Sequence, residues 1–183
     1  MPRNLTLILG GARSGKSRYA ENRARESGKG VIFVATAQAG DAEMAARITA
    51  HKASRPSEWF TLEAPMKTGQ AILTCQKTGH LIILDCLTLL ASNILLSMPE
   101  PVEQNKTEMA LDVEIDSLLR AFESRQESWL IISNEVGLGL VPPYPLGRIY
   151  RDALGRANQR LAQAADEVIL MIAGLPFWLK GSR

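Results

Sequence analysis

The stretch LTLILGGARSGKSRYAENRARES (Leu5–Ser27) decides how the rest of the chain is read. Leu5–Leu9 form an unbroken β-favouring run, two glycines follow, and a helical pattern begins at Ser17. Such a run suits a strand covered on both faces, as in a parallel sheet. Between strand and helix, GGARSGKS fits G-x-x-x-x-G-K-[ST] at Gly10, Gly15, Lys16 and Ser17. Glycines let backbone N–H groups turn inward around phosphate oxygens, and the helix N-terminus adds positive potential. Lys16 is placed to reach the β- and γ-phosphates and Ser17 to ligate Mg²⁺. A plain glycine turn joining strand to helix is the alternative. With glycine near ~7% of residues, however, the full match arises by chance in well under ~1% of chains this long. The stretch therefore predicts a nucleoside-triphosphate loop made of Gly10, Gly11, Ala12, Arg13, Ser14, Gly15, Lys16 and Ser17.

Outward from this loop the same alternation repeats. VIFVAT (Val31–Thr36), LIILD (Leu81–Asp85), WLIIS (Trp129–Ser133) and EVILMI (Glu167–Ile172) are further apolar runs. Helical patterns cover about Ser17–Ser27, Ala42–Ser54, Lys67–Lys77, Thr107–Ser124 and Gly147–Ala164. Strands alternating with helices predict an α/β class, a P-loop NTPase-like, doubly wound and mostly parallel sheet with helices on both faces. The acidic, proline-bearing SMPEPVEQNKT (Ser97–Thr107) reads as a loop. No internal repeat or long linker divides the chain, so residues 1–183 are expected to form one P-loop nucleotide-binding domain.

Bulk properties narrow the function. The chain has 183 residues, 46% hydrophobic and 22% charged, which is enough for a sizeable core. A net charge of +2 without a basic run argues against nucleic acid as partner. Leu81–Leu96 is the greasiest segment, but Asp85, Thr88, Ser92 and Asn93 interrupt it, so no membrane span is expected. Cys75 and Cys86 form no CxxC, and with two histidines they make no zinc site. Two thiols without a signal peptide suggest the reducing cytoplasm.

Asp85 ends an apolar strand, where a second acid would meet Mg²⁺ or its water shell. Four apolar residues and an Asp form a weak pattern alone, since strands often end in a polar turn residue. The phosphate loop strengthens it, and Ser17 with Asp85 are the candidate metal ligands. A regulatory GTPase is not indicated. NKTE (Asn105–Glu108) precedes DALG (Asp152–Gly155), the reverse of the order such proteins need, and neither follows a strand.

One of only two histidines lies in RITAHKASRP (Arg47–Pro56). Asp41 is a plausible N-cap and Pro56 marks the far limit of the helix. At 100° per residue Met44, Arg47, Ile48, His51 and Arg55 share a sector of about 100°, the expected inward-facing stripe. A core-filling ring is the bland reading of such a histidine. Two arginines in the same sector favour a face turned to anions instead, where an imidazole becomes a nucleophile toward phosphorus. The residues alone leave both readings open. His80, at a strand entrance, carries no assigned role.

Taken together, GGARSGKSRYAE, VATAQAGDAEMAARITAHKASRP, Trp59–Pro65, LDCLTLLASNIL, SNEVGLGLVP (Ser133–Pro142) and LGRIYRDALGRANQRLAQAADEVILMIAGLP resemble a known family over nearly the whole chain. It is the bifunctional adenosylcobinamide kinase/adenosylcobinamide-phosphate guanylyltransferase family of cobalamin biosynthesis. The R-I-x-x-H and NEVGxGxVP segments are more specific than the phosphate loop. The resemblance implies phosphorylation of adenosylcobinamide by ATP or GTP, then transfer of GMP from GTP through a guanylylated histidine, here His51. It implies nucleotide contacts at Ala35, Thr36, Ala37, Lys52, Ala53, Ser54, Arg55, Glu63 and Asp85, with Mg²⁺ as cofactor. It also suggests a homo-oligomer, namely a trimer. The departures are the apolar ILLSMPEP (Ile94–Pro101) and PYPLG (Pro143–Gly147), which bear on loop shape. A plain P-loop kinase with a structural His51 is the competing reading.

SNEVGLGLVPPYPLGR places Asn134 and Glu135 at a strand's carboxyl end, where α/β sheets hold ligands. Its glycines and prolines would equally shape a surface turn. Arg148, Arg151, Arg156 and Arg160 do not share one stripe and read mostly as solvated.

Overall fold

A computed structural model describes residues 3–28 and 30–181; the side chains of Arg47 and Ser54 lie outside the description. The order is β1 (Leu5–Gly10), α1 (Lys16–Glu26), β2 (Val31–Ala35), α2 (Ala42–Ser54), β3 (Phe60–Glu63), α3 (Thr68–Thr74) and β4 (Leu81–Asp85). It continues with α4 (Leu87–Leu96), α5 (Gln104–Ser124), β5 (Ser128–Ile132), α6 (Pro145–Ala164), β6 (Glu167–Ile172) and β7 (Leu175–Lys180). All five apolar runs are strands. They join one sheet of order β3-β2-β4-β5-β1-β6-β7, parallel throughout except for β7.

The sheet has helices on both faces, but unequally. Leu5, Leu7 and Leu9 of β1 pack with α3, α4, α5 and α6 through Ile72, Leu90, Ile115 and Leu154. On the other face Ile8, Phe33, Ile83, Leu130 and Ile132 meet Ala20 and Ala24 of α1. Burying a Leu or Ile side chain is worth about 1.5–3 kcal/mol, so both layers draw on the uninterrupted apolar runs.

Three elements were not expected and two boundaries differ. The edge strand β3 is half exposed and so lacks a continuous apolar run. The other edge strand, β7, follows a tight turn in which Ala173 and Gly174 both have positive φ. Helix α4 is apolar around most of its circumference, hiding the 3.6-residue period inside the greasy Leu81–Leu96 segment. Helix α5 begins at Gln104, so the Ser97–Thr107 segment is loop only in its first part. In addition, α3 is shorter than Lys67–Lys77, ending at Thr74.

The phosphate loop leaves the carboxyl end of β1, near the middle of the sheet. Six parallel strands point to this edge, which gathers Gly10–Gly15, Thr36–Gly40, Asp85–Cys86 and the segment after Ile132 around one crevice. The strand carrying Asp85 is not next to β1, because β5 stands between them.

Candidate active site

Backbone geometry shapes the loop before any side chain acts. Gly10 and Gly15 have φ of 151° and 96°. A Cβ on Gly10 would lie 2.6 Å from the Met171 carbonyl oxygen. The turn is braced from outside, where the Gly174 amide donates to the Ser14 carbonyl at 3.0 Å. Lys16 opens α1, is 7% exposed, and donates from Nζ to the Gly11 carbonyl at 2.6 Å. Burial holds its pKa below the usual lysine range, partly offset by Cys86 and Asp85. An anion in the loop would relieve that cost. The buried Ser14 hydroxyl has no hydrogen-bond partner.

Asp85 is the electrostatic hub. Burial pushes its carboxyl pKa up, opposed by a hydrogen bond from Ser17 and by the charges of His51, Arg55 and Lys16. Residues from α1 and α2 thus lie within electrostatic reach of one carboxylate at the end of β4. Cys86 follows it; burial, with Asp85 beside it, pushes that thiol up to about 11, which keeps it protonated and poorly nucleophilic.

Helix α2 starts as expected, with Asp41 accepting from the Met44 amide at 2.7 Å. Its inward stripe is only partly formed. Met44 and Ile48 are half-buried, whereas His51 is exposed at the crevice. Arg55 does not continue the helix. It is the C-cap with φ −79° and ψ 145°, because the following Pro56 disfavours helical geometry there. The turn lays its guanidinium over Phe33, 3.5 Å from the ring centroid. Its Nε and Nη1 are buried without partners, and burial lowers its pKa despite Asp85, Glu21 and Glu63. These orphan donors face a cost unless an acceptor arrives.

The remaining expected contacts line the rim. Ala35 is buried and Ala37 half-buried. The Thr36 hydroxyl is committed to structure, donating to the Cys86 carbonyl at 2.7 Å and accepting from the Cys86 amide at 2.8 Å. Lys52 and Glu63 form an ion pair with both side chains largely exposed, and Ala53 is exposed. Ser54 falls on a side chain outside the description. Sequence patterns missed Phe33 as the platform for Arg55, although its alternation along β2 was available as a signal. No group of three or more metal-binding His, Cys, Asp or Glu side chains occurs among the described residues. Nor is any helix there long and apolar enough to cross a membrane.

Residues 6–179 match the family model described as cobinamide kinase / cobinamide phosphate guanyltransferase. The chain is 44% identical to the bifunctional adenosylcobalamin biosynthesis protein CobP of Pseudomonas aeruginosa, over 96% of each chain. It is 40% identical to the bifunctional adenosylcobalamin biosynthesis protein CobU of Salmonella typhimurium and 38% to that of Escherichia coli. In both cases 96% of this chain covers 99% of the relative.

Proposed function

The chain belongs to the cobinamide kinase / cobinamide phosphate guanyltransferase family, and on that premise we propose how its residues divide the two reactions. It phosphorylates adenosylcobinamide and then transfers a guanylyl group to the phosphorylated product. The observation that carries the assignment is that Lys16, Ser17, Arg55 and His51 all lie within electrostatic reach of Asp85.

In the kinase step the triphosphate of ATP or GTP lies in Gly10–Ser17. The bond between the γ-phosphorus and the bridging oxygen breaks as the terminal hydroxyl of the acceptor bonds to phosphorus, and the hydroxyl proton leaves to solvent. Lys16 and the loop amides stabilise the charge that spreads over the phosphoryl oxygens. In the second reaction the His51 imidazole attacks the α-phosphorus of GTP and pyrophosphate departs, leaving a phosphoramidate. The phosphate of the acceptor then takes the GMP and frees the imidazole. A covalent intermediate lets one site serve two bulky substrates in turn. The orphan donors of Arg55 and Ser14 suit phosphate oxygens, with Ala35–Ala37, Lys52, Ala53, Ser54 and Glu63 bordering the nucleotide.

Mg²⁺ fits Asp85 and Ser17, two hard oxygen ligands, one of which lowers the other's pKa; these side chains would hold it beside the phosphates. Bound there it would neutralise phosphate charge. A single domain, a cytoplasmic setting and a homo-oligomer, with a trimer suggested by the family, complete the proposal.

A plain kinase with a space-filling His51 accords poorly with an exposed ring. Incubation with α-labelled GTP followed by denaturation separates the readings. Retained label supports guanylylation; a plain kinase keeps none.

A further inference from the structure

The peptide after β5 is held more firmly than any turn would require. The Ser133 amide donates to the Ile8 carbonyl at 3.0 Å and the Glu135 amide to the Gly10 carbonyl at 3.1 Å, so the pairing with β1 runs past Ile132 to the first residue of the phosphate loop. Between them, the Asn134 amide donates to Thr88 Oγ1 at 2.8 Å, and its carbonyl accepts from Asn158 Nδ2 at 3.0 Å. Asn158 Oδ1 in turn accepts from Ser133 Oγ at 2.7 Å. Thr88, Ser133 and Asn158 are 9%, 0% and 4% exposed. Buried polar side chains are costly unless paired, and these three are spent on fixing one residue.

Alternation along the strand tells where that residue's side chain goes. Trp129 and Ile131 belong to the layer under α5 and α6, and Ser133 bonds to α6. Leu130 and Ile132 face the α1 side, and Ile132 lies beside Asp85 in the register. Asn134 follows Leu130 and Ile132, on the side of Lys16, between the end of β1 and the strand carrying Asp85. No described residue hydrogen-bonds its side-chain amide.

From this placement we infer that Asn134 is a further catalytic residue, its side-chain N–H donating to a γ-phosphate oxygen of the bound triphosphate. This inference rests on Gly10–Ser17 being the triphosphate site. A donor fixed on buried neighbours needs no reorganisation as charge develops on the transferring phosphoryl group.

The test compares Mg–ATP with Mg–ADP binding, and kinase kcat at saturating substrate, in wild type and Asn134→Ala. A γ-phosphate contact predicts that the variant loses about 10-fold or more in ATP affinity while ADP stays within about 2-fold, and that kcat falls about 10- to 100-fold. Equal weakening of both nucleotides, or unchanged ATP affinity and kcat, would overturn the role. Wild type that binds neither nucleotide would instead overturn the triphosphate reading of the loop. Asn134→Leu, nearly the same shape with neither donor nor charge, carries the same comparison if the alanine variant fails to fold.

Discussion

Helices α1 and α2 both deliver residues to the crevice, yet they are held in opposite ways. Helix α1 buries Lys16, Ala20 and Ala24, and its preceding loop is locked by glycine geometry and the Gly174–Ser14 contact. Helix α2 has no buried residue among those described, and His51 stands exposed on its last turn. The contrast teaches that, on the proposed reading, the triphosphate cradle shared by both reactions is built into the core. On the same reading, the element needed for one reaction alone is carried on an outer helix with no buried residue among those described. Changes around α1 should therefore damage everything, and changes on α2 should separate the activities.

The largest effect is expected at Lys16. Lys16→Ala removes a charged contact to phosphate, costing about 2 kcal/mol or more, or roughly 30-fold, in each reaction. Steady-state assays of the two reactions check this, and full retention of either would break the idea of one shared cradle.

Asp85→Asn comes next, because Asp85 links the two regions. Its turnover should fall, and the Mg²⁺ concentration giving half activity should rise. Stability offers an independent reading. Burial raises the Asp85 pKa, so the folded state keeps a proton that the unfolded chain loses as pH rises above the ordinary aspartate value. The contribution is fully present below that value and is lost as pH climbs through the raised one. Ligand-free wild type should thus lose stability across that window. Asp85→Asn should lose less, as denaturant melts at several pH values would reveal.

A smaller effect is expected at Arg55, where α2 turns back toward the core. Lysine keeps the charge but loses the planar fork and its stack on Phe33. Arg55→Lys should weaken GTP binding about 10-fold, measured by calorimetry, with little change in the melting temperature. A loss confined to stability would make Arg55 a packing residue.

These contrasts also mark what the sequence could and could not disclose. The strands of both core layers are legible because each is a continuous run such as Leu81–Leu84, and the loop is legible because few chemistries need glycines, lysine and a hydroxyl in that order. Edge strands β3 and β7 are not, since each leaves a side exposed and lacks that run. Strand order is invisible to local pattern, so β5 standing between β1 and β4 came only from the structure. The same holds for the Asn134 support, whose partners Thr88 and Asn158 are distant in sequence. Arg55 escaped the helical wheel because a single proline changes the backbone at its end.

The most direct test of the divided architecture is made at His51. Wild type and His51→Ala are incubated with α-labelled GTP, denatured, and the bound label exposed to acid and to base, alongside a kinase assay and a thermal melt. Trimming His51 should cost about 0.5–3 kcal/mol and leave the variant folded. The account predicts acid-labile, base-stable label on wild type, as a phosphoramidate requires, none on the variant, and kinase activity that survives. Folded His51→Ala that still takes up label with the same acid lability would contradict it.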